Sequence, residues 1–345
     1  MNQMTNHERP GVYSSYEASA VVSGRGGGAV VGLIARSDQG APETVTVFYD
    51  DENLSAQFTD DIGALFQLLV KNGASAVAVC PVGADEDYEK AFAAMGAADD
   101  ISLIVCDSAE IAVQKKLKEA LEEAAAVRKE RIAIVPAGKG ETVAQLTQRA
   151  EALNSQRMVL VAPAAEDALP HAALAAAVAG AIAAEADPAV PLGGAPLKGV
   201  ESVSQTYSEE SLDALIRGGV TVAEMSRGEV SILRAVTTRT KTGGAADATW
   251  KELTTIRIVD DVIPTVREAL KVRFGRSKNT AQVRSAIRSQ VIMELEEKVS
   301  KEIITGYGAV NAVALEDNPT VCLVEFSFTV AHGLNQIWLS AKITV

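Results

Sequence analysis

The chain has 345 residues, of which 48% are apolar but only 4% aromatic, and it carries a formal charge of −13. A core of that make-up is filled by many small side chains packed closely, and the charge excludes a broad nucleic-acid surface, which needs clustered Lys and Arg. No apolar run reaches the roughly 18 residues that a membrane-spanning helix requires. Proteins are therefore the expected partners, with neither nucleic acid nor membrane among them.

The first ten residues, Met1 to Pro10, are polar and lack the basic-then-apolar pattern of an export signal, so synthesis in the cytoplasm is expected. Gly24, Gly26, Gly27, Gly28 and Gly32 follow. A dinucleotide fingerprint follows a strand and opens a helix, whereas these glycines precede the strand-like run Val30 to Ala35. A hinge or tight turn fits them better than a phosphate cradle. Val45 to Tyr49 reads as a second strand, and Phe58 to Asn72 as a helix stopped by Gly73.

From Ala76 onward short β-branched runs alternate with helical patterns, the signature of a mostly parallel sheet covered by helices. The strands are Ala76 to Val82, Ile101 to Cys106, Arg131 to Val135 and Arg157 to Ala162, all nearly continuous apolar runs as expected of strands buried on both faces. Helices fill about 85–97, 110–130 and 141–154, and Ala172 to Ala184 is a further buried helix. This predicts a six-stranded α/β domain over residues 29–195, where Pro188, Pro191, Gly193, Gly194 and Pro196 break regular structure. Residues 196–245 are expected to connect, through a helix capped by Ser208 and a hairpin turning at Ser226 to Glu229.

Residues 246–345 predict a smaller α+β domain. One helix bears Val262, Val266 and Leu270, and a second bears Val283, Ile287, Val291, Leu295, Val299 and Ile303 at four-residue spacing. Two alternating segments close the chain, Val321 to Val330 and Gln336 to Val345, joined by a turn containing Gly333.

Chemistry-bearing patterns are weak. Ala137 to Thr142 follows a strand and opens a helix, yet it lacks the first glycine and the hydroxyl after Lys139 that a P-loop needs. Asp85 and Asp107 sit at strand ends, where doubly wound enzymes place catalytic groups, and acidic helix starts explain them equally well. His7, His171 and His332 have no nucleophile motif beside them, and Cys80, Cys106 and Cys322 lie in apolar runs with no metal spacing. No catalytic residue, metal site or cofactor is expected.

The segments Arg9-Pro10-Gly11-Val12-Tyr13 with Glu17, then Gly24 to Gly32, Ala175 to Gly180, Asp187-Pro188, Pro191-Leu192, Leu197 to Val200, Gly218 to Thr221 and Arg234 to Thr238 resemble contractile phage tail sheath proteins in that order. The aromatic residue often found near Pro191 in that family is absent here. The resemblance implies a subtilisin-like α/β topology, a C-terminal domain next to an inner tube, and a structural subunit that polymerises helically and contracts. It also implies a place in a virion tail or bacteriocin particle, with the tube, baseplate and tail terminator as partners.

Two strand-like arms outside the α/β domain fit this, because a lone strand must find an edge to pair with. Val12 and Tyr13 in residues 1–28, and Ile337, Leu339, Ile343 and Val345 at the other end, are the predicted subunit links. Gly24, Gly26, Gly27, Gly28 and Gly333 are the predicted hinges, and Arg284 and Arg288, on a helix that also bears Lys298 and Lys301, the predicted tube contact. Two other readings stand beside it: a doubly wound enzyme holding a small anion at Gly138 to Thr142, and a non-contractile shell.

Overall fold

The computed structural model describes residues 30–85, 87–166 and 168–335. Val12, Tyr13, Gly24, Gly26, Gly27, Gly28, Ile337, Leu339, Ile343 and Val345 lie outside the described residues.

Strands β1 (Val30–Arg36), β2 (Thr46–Phe48), β3 (Ala76–Val82), β4 (Ile101–Cys106), β5 (Ile132–Pro136), β6 (Met158–Ala162), β7 (Val220–Ser226) and β8 (Glu229–Arg234) make one sheet in the order β2-β3-β1-β4-β5-β6-β7-β8. The six inner strands run parallel, and only β2 and β8 are antiparallel to their neighbours. Every residue of β3, β5 and β6 is buried, which is why those stretches are apolar without alternation.

The helices are α1 (Asp51–Ser55), α2 (Asp61–Asn72), α3 (Tyr88–Ala97), α4 (Ile111–Ala126), α5 (Val143–Leu153), α6 (Ala173–Ala184) and α7 (Glu209–Arg217). They divide between the two faces. Leu54, Leu65, Leu69 and Val178 from α1, α2 and α6 pack with Leu33 and Val79 on one side. Phe92, Leu117, Leu146 and Leu215 from α3, α4, α5 and α7 pack with Ile34 and Cys80 on the other. Gly73 ends α2 in the left-handed region at φ 118°, its N–H bonded to Leu69 O at 3.1 Å.

Helix α6 is apolar all round and therefore buried, pressed against α2. A Cβ on Gly180 would lie 2.6 Å from Leu69 O and from Asn72 Cβ, so only glycine allows this approach. Next to it the Asn72 amide donates to Leu68 O (2.8 Å) and Lys198 O (2.9 Å) and accepts from Lys198 N (2.8 Å), tying the segment between α6 and α7 to α2. Gly180→Ala is expected to lower stability by about 1–3 kcal/mol through overpacking. Urea unfolding checks it, and an unchanged midpoint would mean the two helices separate without cost.

The sheet has eight strands where the sequence shows six. The hairpin expected within a connecting segment at 196–245 supplies β7, paired parallel to β6, and β8 at the edge. Its alternation is that of any hairpin, and its place beside β6 is set by pairing across about sixty residues of chain, which no local pattern carries.

After a small ribbon of β9 (Lys241–Thr242) and β10 (Ala245–Ala246) comes a separate α+β domain. It contains α8 (Leu253–Phe274), α9 (Ala281–Ser300), β11 (Ile304–Tyr307), β12 (Asn311–Leu315), β13 (Asn318–Glu325) and β14 (Phe328–Val330). Ile258, Val262, Val266 and Leu270 of α8 meet Val291 and Leu295 of α9, with Ile303, Ile304 and Val310 closing the cluster. Val283 and Ile287, on the first half of α9, stay only half-buried. The expected strand Val321 to Val330 is interrupted: β13 pairs with β12, and β14 pairs with β11.

Helix α8 lies against the parallel-sheet domain through buried ion pairs. Arg157, just before β6, reaches Asp260 through two contacts of 3.2 Å, with side chains 3% and 12% exposed. Arg267, seven residues along α8, meets the fully buried Glu130 just before β5 at 3.5 Å. Burial pushes the Asp260 carboxyl up to about 7, with Arg157 opposing the shift and Glu130 adding to it.

Candidate subunit interfaces

An unpaired strand edge is the first place to look for self-assembly, and the large sheet offers little of it. At β8 the chain covers its own edge: Gly194 N donates to Ile232 O (2.7 Å), Ile232 N to Ala195 O (3.0 Å) and Leu197 N to Val230 O (2.8 Å). At the opposite edge β2 is three residues long.

The β12–β13 ribbon differs. Val313 stands opposite Leu323, and Ala312 opposite Val324. Since residues alternate between faces, Ala312, Ala314, Cys322 and Val324 share the side on which Val324 joins the α8–α9 core. The other side carries Val313, 47% exposed, Leu315, 40% exposed, and half-buried Leu323. Among the described residues β12 and β13 pair with no other strand, and the Asn279 amide donates to Pro319 O (2.8 Å) and Val321 O (3.1 Å) at the start of β13. A two-stranded ribbon with an uncovered apolar face is marginal on its own and accepts further strands.

A second surface is electrostatic. Residues 269–293 contain no Asp or Glu and carry Lys271, Arg273, Arg276, Lys278, Arg284 and Arg288, in a chain whose net charge is −13. They occupy the end of α8, the turn after it and the first half of α9. Arg284 donates to Asn279 Oδ1 (2.9 Å), and Arg288 Nε donates to Val310 O (2.8 Å), so both guanidiniums are oriented from within the chain. Lys298 belongs elsewhere: it is buried and paired with Asp261 of α8 at 2.5 Å. Arg273, Arg276 and Lys278 were missed by periodicity because two of them lie in a turn. The acid-free window itself is the signal that finds them.

Gly333 sits against the ring of Pro191, where a Cβ would come within 2.9 Å of a ring carbon. Its glycine meets a need for close approach.

The Gly138 turn and Asp107 prove to be engaged within the chain. Gly138 N–H donates to Glu141 Oε2 (2.9 Å), and Glu141 is held by Arg149 at 2.5 Å, so the turn's own carboxylate stands where an anion would bind. Thr142 caps α5 in a reciprocal box with Gln145. Asp107 accepts from Arg36 N (2.9 Å) and from the Tyr88 hydroxyl (2.8 Å), and its carboxyl is raised by burial. Burial pushes the Cys80 thiol up to about 12 and raises Cys106 as well, so neither forms a nucleophilic thiolate. Among the described residues no group of three or more His, Cys, Asp or Glu side chains is arranged to hold a metal.

Comparison with known proteins bears on these surfaces. Residues 83–238 match the model of the phage tail sheath protein central domain, and residues 245–344 match that of the phage tail sheath C-terminal domain. The tail sheath protein of Bacillus phage SP01 is 28% identical over 229 residues, 61% of this chain and 38% of that protein, so the chain spans about two-fifths of the relative's length. A chain in the six-fold symmetrised baseplate of the anti-feeding prophage superposes with a TM-score of 0.74 at 16% identity, covering 98% of this chain and 100% of that one. The helical sheath of the same particle in its contracted state gives 0.72 at 17% identity, covering 96% and 98%. A sheath tail protein from Desulfitobacterium hafniense gives 0.70 at 12% identity, covering 93% and 100%. These structural likenesses establish a shared fold over nearly the whole chain. With the central and C-terminal sheath models matched in order along one chain of that fold, the protein belongs to the phage tail sheath family.

Proposed function

We propose that the chain is the repeating unit of a contractile tail sheath. Copies assemble as stacked hexameric rings around an inner tube, bounded by a baseplate and a tail terminator, and the lattice shortens to drive the tube through a cell envelope. Its place is then the virion tail or the sheath of a related particle.

The observation that carries this reading is the β12–β13 ribbon with Val313 and Leu315 exposed. The terminal segments bearing Val12 and Tyr13, and Ile337, Leu339, Ile343 and Val345, supply strands of the matching kind. An arm adding about five ladder hydrogen bonds at roughly 1 kcal/mol each, with its apolar side chains, makes a link of several kcal/mol. Gly24, Gly26, Gly27, Gly28 and Gly333 are the points about which rigid domains turn while the links persist. Electron microscopy of the purified full chain tests the reading. Hollow cylinders support it, whereas closed shells or dispersed single particles overturn it.

The basic α8–α9 tip is the proposed tube contact, and the proposal requires an acidic tube surface. Arg284→Glu with Arg288→Glu is expected to reduce co-sedimentation of sheath with tube at least roughly tenfold at low salt. A matched melting curve controls for the loss of the Val310 contact, and undiminished co-assembly would remove these two residues from the interface.

A further inference from the structure

Asn72 is the only asparagine of the chain that is followed by glycine. That pairing is chemically labile, because a glycine nitrogen, with no side chain beside it, reaches the amide carbon of the preceding asparagine with the least hindrance. The fold requires it all the same. Gly73 ends α2 at φ 118°, and a Cβ there would lie 2.5 Å from the Cβ of Ala184 at the end of α6, so no bulkier and less reactive neighbour fits.

The native structure keeps the two reacting groups apart. Asn72 is only 6% exposed, and its Nδ2 donates to Leu68 O one turn earlier, which turns the amide back along α2 and away from the Gly73 nitrogen. The same Nδ2 donates to Lys198 O, and Oδ1 accepts from Lys198 N, so the amide is held from both ends. The Gly73 N–H is itself shared between Leu69 O and Val70 O. To lose its proton and swing toward the side chain, that nitrogen would have to give up the bonds that close the helix.

We propose that Asn72 is a modification site gated by the contact of α2 with α6 and Lys198: inert in the folded subunit, and converted by spontaneous deamidation once that contact opens. The Gly73 nitrogen attacks Asn72 Cγ, the Cγ–Nδ2 bond breaks, and ammonia leaves with the proton of the attacking amide, closing a cyclic imide. Water then opens the imide at either carbonyl and leaves an aspartate or an isoaspartate at that position. The product does not remake the contact. A carboxylate has no hydrogen for Leu68 O or Lys198 O, so in this buried site oxygen is left facing oxygen. The isoaspartyl form also adds a methylene to the backbone at the last residue of α2. Time spent unfolded is thus written into the chain and withdraws it from refolding. This inference does not depend on the sheath reading.

The full-length, unaltered chain tests it. Samples are held at mildly alkaline pH in native buffer and in guanidinium chloride, and conversion at residue 72 is followed by peptide mapping with mass spectrometry and isoaspartate detection. The reaction is expected to run at least roughly tenfold faster in denaturant, because the native state must first open. Returned to native buffer, the converted chain should melt roughly 4–8 °C below a chain that was only briefly unfolded, or fail to refold. Asn72→Asp should reproduce that loss without any incubation. Equal rates of conversion in the two buffers, or a converted chain that refolds with an unchanged midpoint, overturns the proposal.

Discussion

Replacing Leu339 and Ile343 together by Asp is expected to abolish sheath assembly while leaving the melting of the isolated subunit unchanged. Paired as the proposed strand, the alternating segment 336–345 would put both residues on one apolar face with Ile337, Ala341 and Val345. Burying two carboxylates against an apolar ribbon weakens each link by several kcal/mol, a loss of more than about a thousandfold in the pairing constant. The receiving side makes the reciprocal case. Val313→Asp with Leu323→Asp puts the charges on the exposed face of β12–β13, away from the α8–α9 core, and should give the same phenotype. Deleting residues 1–22, which removes Val12 and Tyr13, should also leave a folded subunit that does not polymerise. Sedimentation and electron microscopy decide among these, and cylinders of normal length and contraction from the Leu339/Ile343 variant would refute strand exchange as the link.

The second large effect is expected at the domain junction. Arg157→Met should lower stability by roughly 3–5 kcal/mol at pH 8, because it strands a buried carboxylate. At pH 5.5 the loss should be smaller, and the sign follows from linkage. Asp260 is raised from its ordinary 3.8 to about 7, first by burial. Its contribution to stability is therefore fully present below about 4 and is lost as pH rises through about 7. Without Arg157 the carboxyl rises further. The variant then goes on losing stability above pH 7, where the wild type has levelled off, so the two curves approach each other in acid and separate in base. Glu130 and Arg267 on one side, and Lys298 with Asp261 on the other, remain in both proteins as a common background. Urea unfolding at several pH values checks this, and a difference independent of pH would show that Asp260 stays ionised throughout.

What the sequence reveals follows the range of the forces involved. Strands buried on both faces, such as Ala76 to Val82, announce themselves because burial alone selects their residues. Helix ends at Gly73 and Ser208 are visible because capping is settled within a turn. The addition of β7 and β8 to the sheet is not visible, since their neighbour β6 is far away in sequence. Nor are β11 and β12, which are short, rich in small residues and only half-covered. The same division runs through the candidate interfaces. Arg284 and Arg288 are found by reading one periodic helix, whereas Arg276 and Lys278, in the turn, are found only by the acid-free window 269–293 that runs across both helices. The Gly138 turn misleads in the opposite direction: its glycine and lysine suggest an anion, and Glu141, three residues on, occupies the amide an anion would use.

The closure of the β8 edge by Gly194 to Leu197 makes the subunit hospitable to added sequence. With that edge already satisfied, a foreign peptide set into the exposed turn at Arg227 and Gly228 meets no waiting ladder to zip onto. Display of epitopes or affinity tags there is thus separated, in the fold itself, from the ribbon proposed to link the subunits.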